Sequence, residues 1–144
     1  MRHPLSPTAA MLALGILVVP LAAIPAGPAQ AADKAAVCAE ARERYAAMEG
    51  IDKAPANTET VLMYKYTFCP QTLTVKAGTT VRFLNVDKRT SHSVWFKEAG
   101  QAESDRLFPE EMYSLTLQDA GTYPYLCGPH WKQEGMTGTL TVTP

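Results

Sequence analysis

The stretch that most constrains this chain is Tyr123-Pro124-Tyr125-Leu126-Cys127-Gly128-Pro129-His130-Trp131-Lys132-Gln133-Glu134-Gly135-Met136. Tyr123, Tyr125 and Cys127 alternate with Pro124 and Leu126, the period of a half-buried strand, so the Cys127 thiol arrives pointing inward. His130 and Met136 follow on the same loop. A thiol, an imidazole and a thioether on one loop can surround an ion, provided that a fourth donor comes from elsewhere in the fold. His92, in Thr90-Ser91-His92-Ser93-Val94-Trp95-Phe96, supplies it. It opens an apolar strand pattern in which His92, Val94 and Phe96 share one face, so its ring is aimed at the core.

One thiolate, two imidazoles and one thioether are the donor set of a mononuclear type 1 copper site, with a His2Cys plane and a long, weak axial Met bond. Soft sulfur holds Cu(I), and imidazole suits both oxidation states. Taken singly, His92 reads as a hydrogen-bonded histidine, Cys127 as a small buried hydrophobe and Met136 as a gap filler. Their joint occurrence in this order carries the copper reading. The axial position stays open between Met136 and two other residues of the same loop, Gln133 and Glu134. His3 falls in the leader and is not a candidate.

Four segments then carry a family resemblance: Ala77 to Asn85; His92-Ser93-Val94; Asp119-Ala120-Gly121-Thr122-Tyr123-Pro124-Tyr125-Leu126-Cys127-Gly128-Pro129-His130; and Met136 to Val142. Over about residues 60 to 144 the chain resembles the cupredoxins, and its Cys-x-Pro-His loop is most similar to the plastocyanin, amicyanin and pseudoazurin group. The resemblance implies an all-β, Greek-key β-sandwich that moves single electrons and performs no chemistry on a substrate. It implies one copper ion held by His92, Cys127, His130 and Met136, with Ser93, Asn85 and Pro129 in the surrounding shell. It also implies a docking patch around the C-terminal histidine, here formed by Trp131 and Pro129. The chain departs from the family pattern twice. Five residues separate His130 from Met136, a longer loop than in the Cys-x-Pro-His members. Ser93 stands where these families usually carry Asn, the residue that donates its backbone N–H to the sulfur and ties two loops together.

Residues 1–31 read as a secretory signal: Arg2 at the start, an apolar run from Ala9 to Ala23, and small residues at Ala29-Gln30-Ala31. Cleavage after Ala31 leaves 144 − 31 = 113 residues, enough for one domain with one core, and places the protein in the periplasm. Without Arg2 the formal charge is 12 − 14 = −2. That balance argues against nucleic acid or an anionic membrane surface as the main partner. The expected partners are redox proteins, such as a c-type cytochrome, a dehydrogenase or a reductase, met by a monomer with no stable membrane insertion after cleavage. A copper-handling protein and, further off, an open-site copper enzyme are the alternatives.

Residues 32–59 read as an added helix and linker. Val37, Ala41, Tyr45 and Met48 share one helical face, an amphipathic cover for the sandwich. Strands are expected over Val61 to Phe68, Thr72 to Val75 and Thr79 to Val86, with Ala77-Gly78 turning between the last two. Lys97 to Arg106 reads as a polar surface loop. In an oxidising compartment, with Cys127 committed to a metal, Cys38 and Cys69 form the only available disulfide pair.

Overall fold

Branched and aromatic residues favour strands where a pleated surface can be half or fully buried, and seven segments here meet that condition. They are β1 (Thr58–Tyr64), β2 (Thr67–Cys69), β3 (Thr72–Lys76), β4 (Thr80–Asn85), β5 (Met112–Thr116), β6 (Gly121–Leu126) and β7 (Thr137–Thr143). Two helices, α1 (Pro28–Ala47) and α2 (Trp131–Glu134), flank them. The structure is a computed structural model and describes residues 28–51 and 54–144. The leader expected over residues 1–31 lies outside the described residues up to residue 27.

The strands form two mixed sheets, β2-β1-β4-β5 and β3-β7-β6, in which β1 pairs parallel with β4 and β3 parallel with β7. They pack face to face as the expected all-β sandwich. Between them lie Val61, Met63, Phe68, Phe83, Phe96, Tyr125, Leu140 and Val142, all buried. The rings of Phe68, Phe83 and Phe96 meet Tyr125 at centroid distances of 4.8, 5.2 and 5.2 Å, spacings that favour edge-to-face and tilted contacts. The turn at Ala77-Gly78 falls where expected, with Gly78 at φ +81.

The run Val61 to Phe68, expected as one strand, is two. Lys65 and Tyr66 take φ +44 and +58, the left-handed conformation at both central positions of a two-residue hairpin turn. β2 then folds back on β1, with Leu62 opposite Cys69 and Tyr64 opposite Thr67. A second correction concerns His92. The segment 92–96 is not a strand but makes two isolated bridges, His92 to Leu107 and Trp95 to Leu126.

α1 lies on the outer face of the four-stranded sheet. Val37, Ala41, Tyr45 and Met48, the expected face, pack on Leu62, Tyr64, Leu84 and Val86. Both faces of β1 and β4 are therefore covered, which is why Val61 to Tyr64 and the pair Phe83-Leu84 are apolar without alternation. Cys38 and Cys69 are disulfide-bonded with their Cα atoms 5.3 Å apart, joining α1 to β2. The Lys65 ammonium bonds Glu40 at 2.7 Å, and the Tyr64 hydroxyl also donates to Glu40. No helix among the described residues is long and apolar enough to cross a membrane.

Candidate metal centre

β6 delivers Cys127 to the end of the sandwich with its side chain fully buried. The loop that follows is closed on itself by backbone bonds. Cys127 N–H donates to the Met136 carbonyl at 3.0 Å, and His130 and Trp131 N–H donate to the Cys127 carbonyl at 3.0 and 2.9 Å. The extra residues between His130 and Met136 form the one-turn helix α2, which ends at Gly135 with φ +64. The longer loop is thus absorbed as a turn, and Met136 returns to the core beside Cys127.

His92 reaches the same point from the other segment. Its N–H and carbonyl bond Leu107 at 3.0 and 2.8 Å, and three residues on, Trp95 bonds Leu126 at 2.9 and 3.1 Å. These bridges fix the segment against β6 without a strand. The ligand atoms of His92, Cys127 and His130 all lie within 4.8 Å of one another. Cys127 Sγ is 3.8 Å from His92 Nδ1 and 3.3 Å from His130 Nδ1, and the two imidazole centroids are 5.2 Å apart.

The shell around these groups prepares them for a cation. His92 Nε2 lies 2.7 Å from the Asp87 carboxylate. A carboxylate only accepts, so Nε2 carries the proton and Nδ1 keeps its lone pair toward Cys127, the arrangement that orients a metal-bound histidine. Burial disfavours the charged form of His92, but the hydrogen bonds to Asp87 and Cys127 outweigh it and raise its pKa. His130 moves the other way. Burial first, then the coulombic effect of a charged His92 and of Arg106, lower its pKa and disfavour its charged form. Ser93 N–H donates to Cys127 Sγ at 3.4 Å, and Cys127 is the free cysteine.

Other expected residues fall as follows. Met136 is fully buried, whereas Gln133 and Glu134 are exposed. Ser93 performs both tasks expected at its position, since its hydroxyl also accepts the Gly128 N–H at 3.0 Å. Asn85 works on the loops around the site. Its amide ties the Thr90 and Leu107 carbonyls at 2.8 and 2.9 Å, and its oxygen accepts the Asp87 N–H at 2.9 Å, so it acts by holding Asp87. Pro129 is half-buried in the ligand loop. Trp131 is half-buried, with the Lys97 and Lys132 ammonium groups 5.4 and 5.2 Å from its ring. The aromatic ring that meets His130 is instead Tyr66, at 4.9 Å edge to face and 39% exposed. Sequence reasoning missed Tyr66, Asp87 and Glu103; the last bonds the Ser93 hydroxyl at 2.6 Å.

A buried free thiol bearing an N–H donor, an imidazole with its outer nitrogen anchored and a second imidazole with its Nδ1 toward the sulfur fit a metal that prefers soft sulfur and imidazole nitrogen. Residues 56–143 match the family of copper binding proteins that includes plastocyanin and azurin. The chain belongs to this family. It is 34% identical to a plastocyanin of Prochlorothrix hollandica, covering 64% of this chain and 79% of that protein. It is also 34% identical to amicyanin-alpha of Methylorubrum extorquens, covering 69% and 87%. Among solved structures, the reduced Cu(I) form of an amicyanin variant at pH 4 superposes with TM-score 0.55 at 32% identity, over 64% of this chain and 87% of that one. As in other members of this copper-binding family, the cofactor is copper, and the His92, Cys127 and His130 cluster is the group that can hold it.

Proposed function

We propose that the chain is an exported, monomeric single-electron carrier that works in the periplasm between protein redox partners. A c-type cytochrome, a dehydrogenase or a reductase is the expected class of donor and acceptor. In this reading residues 1–31 are removed, 32–59 form the accessory helix and linker, and 60–144 carry the metal. His92, Cys127 and His130 are the strong ligands and Met136 the weak axial one, with Met136 favoured over Gln133 and Glu134 because it alone is buried beside Cys127.

The observation that carries the proposal is the buried convergence of one sulfur and two imidazole nitrogens from two separately braced segments. Copper bound there supplies a one-electron couple, Cu(I)/Cu(II). The residues of the chain do the rest. Asp87 holds the His92 tautomer, Ser93 N–H lies on the sulfur, and the bridges to Leu107 and Leu126 resist rearrangement of the ligands. His130 is the half-buried ligand, and its ring offers the short path to a partner docked over it. We place that partner against Tyr66 and Pro129, with Trp131 at the flank.

Absorption and electron paramagnetic resonance spectra of the Cu(II)-loaded mature chain test this. A blue thiolate-to-copper band with a narrow copper hyperfine splitting is expected. A weakly coloured, ordinary tetragonal signal would instead indicate an open-site copper protein.

A further inference from the structure

Ser93 has one hydroxyl proton and two acceptors near it. Its Oγ is 2.6 Å from Glu103 Oε1 and 4.0 Å from Cys127 Sγ, while the Gly128 N–H donates to the oxygen itself. A hydrogen bond to a carboxylate at the shorter distance is the stronger of the two, so the proton goes to Glu103. The sulfur is left with the Ser93 backbone N–H alone as its donor from this residue.

Glu103 is held in place for this. Its neighbour Ser104 bonds Val94 twice, N–H to the Val94 carbonyl and Oγ from the Val94 N–H, both at 2.9 Å. The carboxylate then reaches across to the ligand loop and rests on Gly128. A Cβ at that glycine would come within 2.0 Å of Glu103 Oε1. The absence of a side chain at Gly128 is what admits the carboxylate.

Building on the copper reading above, we infer that Glu103 is a positioning residue that holds the Ser93 hydroxyl proton away from Cys127 Sγ and so lowers the reduction potential of the site. Hydrogen bonds to a copper-bound sulfur weaken its donation to the oxidised metal and raise the potential. Freeing the Ser93 hydroxyl to turn toward the sulfur adds such a bond. Removing a nearby negative charge acts in the same direction, so the test must separate the two effects.

The experiment measures the reduction potential and the energy of the blue band in the copper-loaded chain for a set of variants. Glu103→Ala is expected to raise the potential and move the band to shorter wavelength. Glu103→Gln removes the charge but keeps an amide oxygen to accept the hydroxyl, and is expected to shift both less. Gly128→Ala keeps the charge but its methyl displaces the flexible carboxylate, and is expected to reproduce the rise. In a Ser93→Ala background, Glu103→Ala is expected to leave the band energy unmoved. Equal shifts in Glu103→Ala and Glu103→Gln, with Gly128→Ala at the parent value, would show that Glu103 acts only as a charge and would overturn the inference. A blue parent whose potential ignores all three substitutions would overturn it while leaving the copper reading intact, whereas a parent without the blue band would remove both.

Discussion

The bond between Cys38 and Cys69 closes a loop of sequence separation 31 and stitches α1 to the sheet. Cross-linking removes loop-closure entropy from the unfolded chain, and a loop of this size corresponds to about 3.5 kcal/mol at room temperature. The native helix has other holds. Ala41 is fully buried against the sheet, Tyr45 and Met48 pack beside it, and Arg44 donates to the Val86 carbonyl at 2.7 Å. The double variant Cys38→Ser, Cys69→Ser should therefore fold with α1 docked and lose about 3–4 kcal/mol, mostly through its freer unfolded state. Urea unfolding of the metal-free chain, followed by tryptophan fluorescence, reads this as a lower midpoint with an equal or larger m value, since the freer unfolded chain exposes at least as much surface. A loss under about 1 kcal/mol would refute the entropic reasoning. A clearly smaller m value would refute the claim that packing alone keeps the helix docked, because less surface would be exposed on unfolding. Alkylation without reduction should modify Cys127 only, and three modified cysteines would remove the disulfide itself.

Further outcomes concern the centre and its buttress. Asp87→Ala removes the acceptor that orients His92 and should weaken copper binding about 10- to 100-fold, measured by competition with a chelator; an unchanged affinity would mean the Leu107 bridge suffices. Met136→Leu should keep the blue colour and raise the potential, while Cys127→Ser should abolish the colour, and an unmoved potential in the first variant would redirect the axial role to Gln133, Glu134 or no ligand. The Lys65 hydrogen bond, then that of Tyr64, lowers the pKa of Glu40. A carboxyl depressed in the folded state contributes stability above its ordinary pKa and loses it as pH falls through the folded value. Glu40→Gln should therefore flatten the acid limb of stability against pH, and salt should shrink the difference because the pair is exposed; parallel acid limbs would count against the pair.

What could be read from the sequence was what repeats or aligns locally. The period-2 run Tyr123, Tyr125, Cys127 put the thiol inward, and the 3–4 spacing of Val37, Ala41, Tyr45 and Met48 named the helix face. His92 was identified correctly as a residue facing the core, but for an incomplete reason. It is held by its own bonds to Leu107 and by those of Trp95 to Leu126, partners that no local period reveals. The hairpin turn at Lys65-Tyr66 was invisible because two left-handed residues in such a turn are normally announced by Asn or Gly, and neither is present. Asp87 and Glu103 look like solvated loop charges in the sequence. Their roles depend on the path of each loop, which returns Asp87 to a histidine and Glu103 to a serine.

The same hairpin connects the accessory helix to the metal centre. α1 precedes residues 56–143, the part that matches the family, and it grips the hairpin at two places. Cys38 holds the end of β2 through Cys69, and Glu40 holds the turn through Lys65. The next residue, Tyr66, is kept in a left-handed conformation with its ring against His130 and, at 6.3 Å, near His92. Asp87 belongs to the same network, since its Oδ2 accepts the Lys65 N–H at 3.1 Å as well as bonding His92. A helix outside the matched segment thus reaches both histidines through the Lys65-Tyr66 turn, and a loosened α1 should be felt at the centre through Lys65, which joins Glu40 on one side to Asp87 on the other.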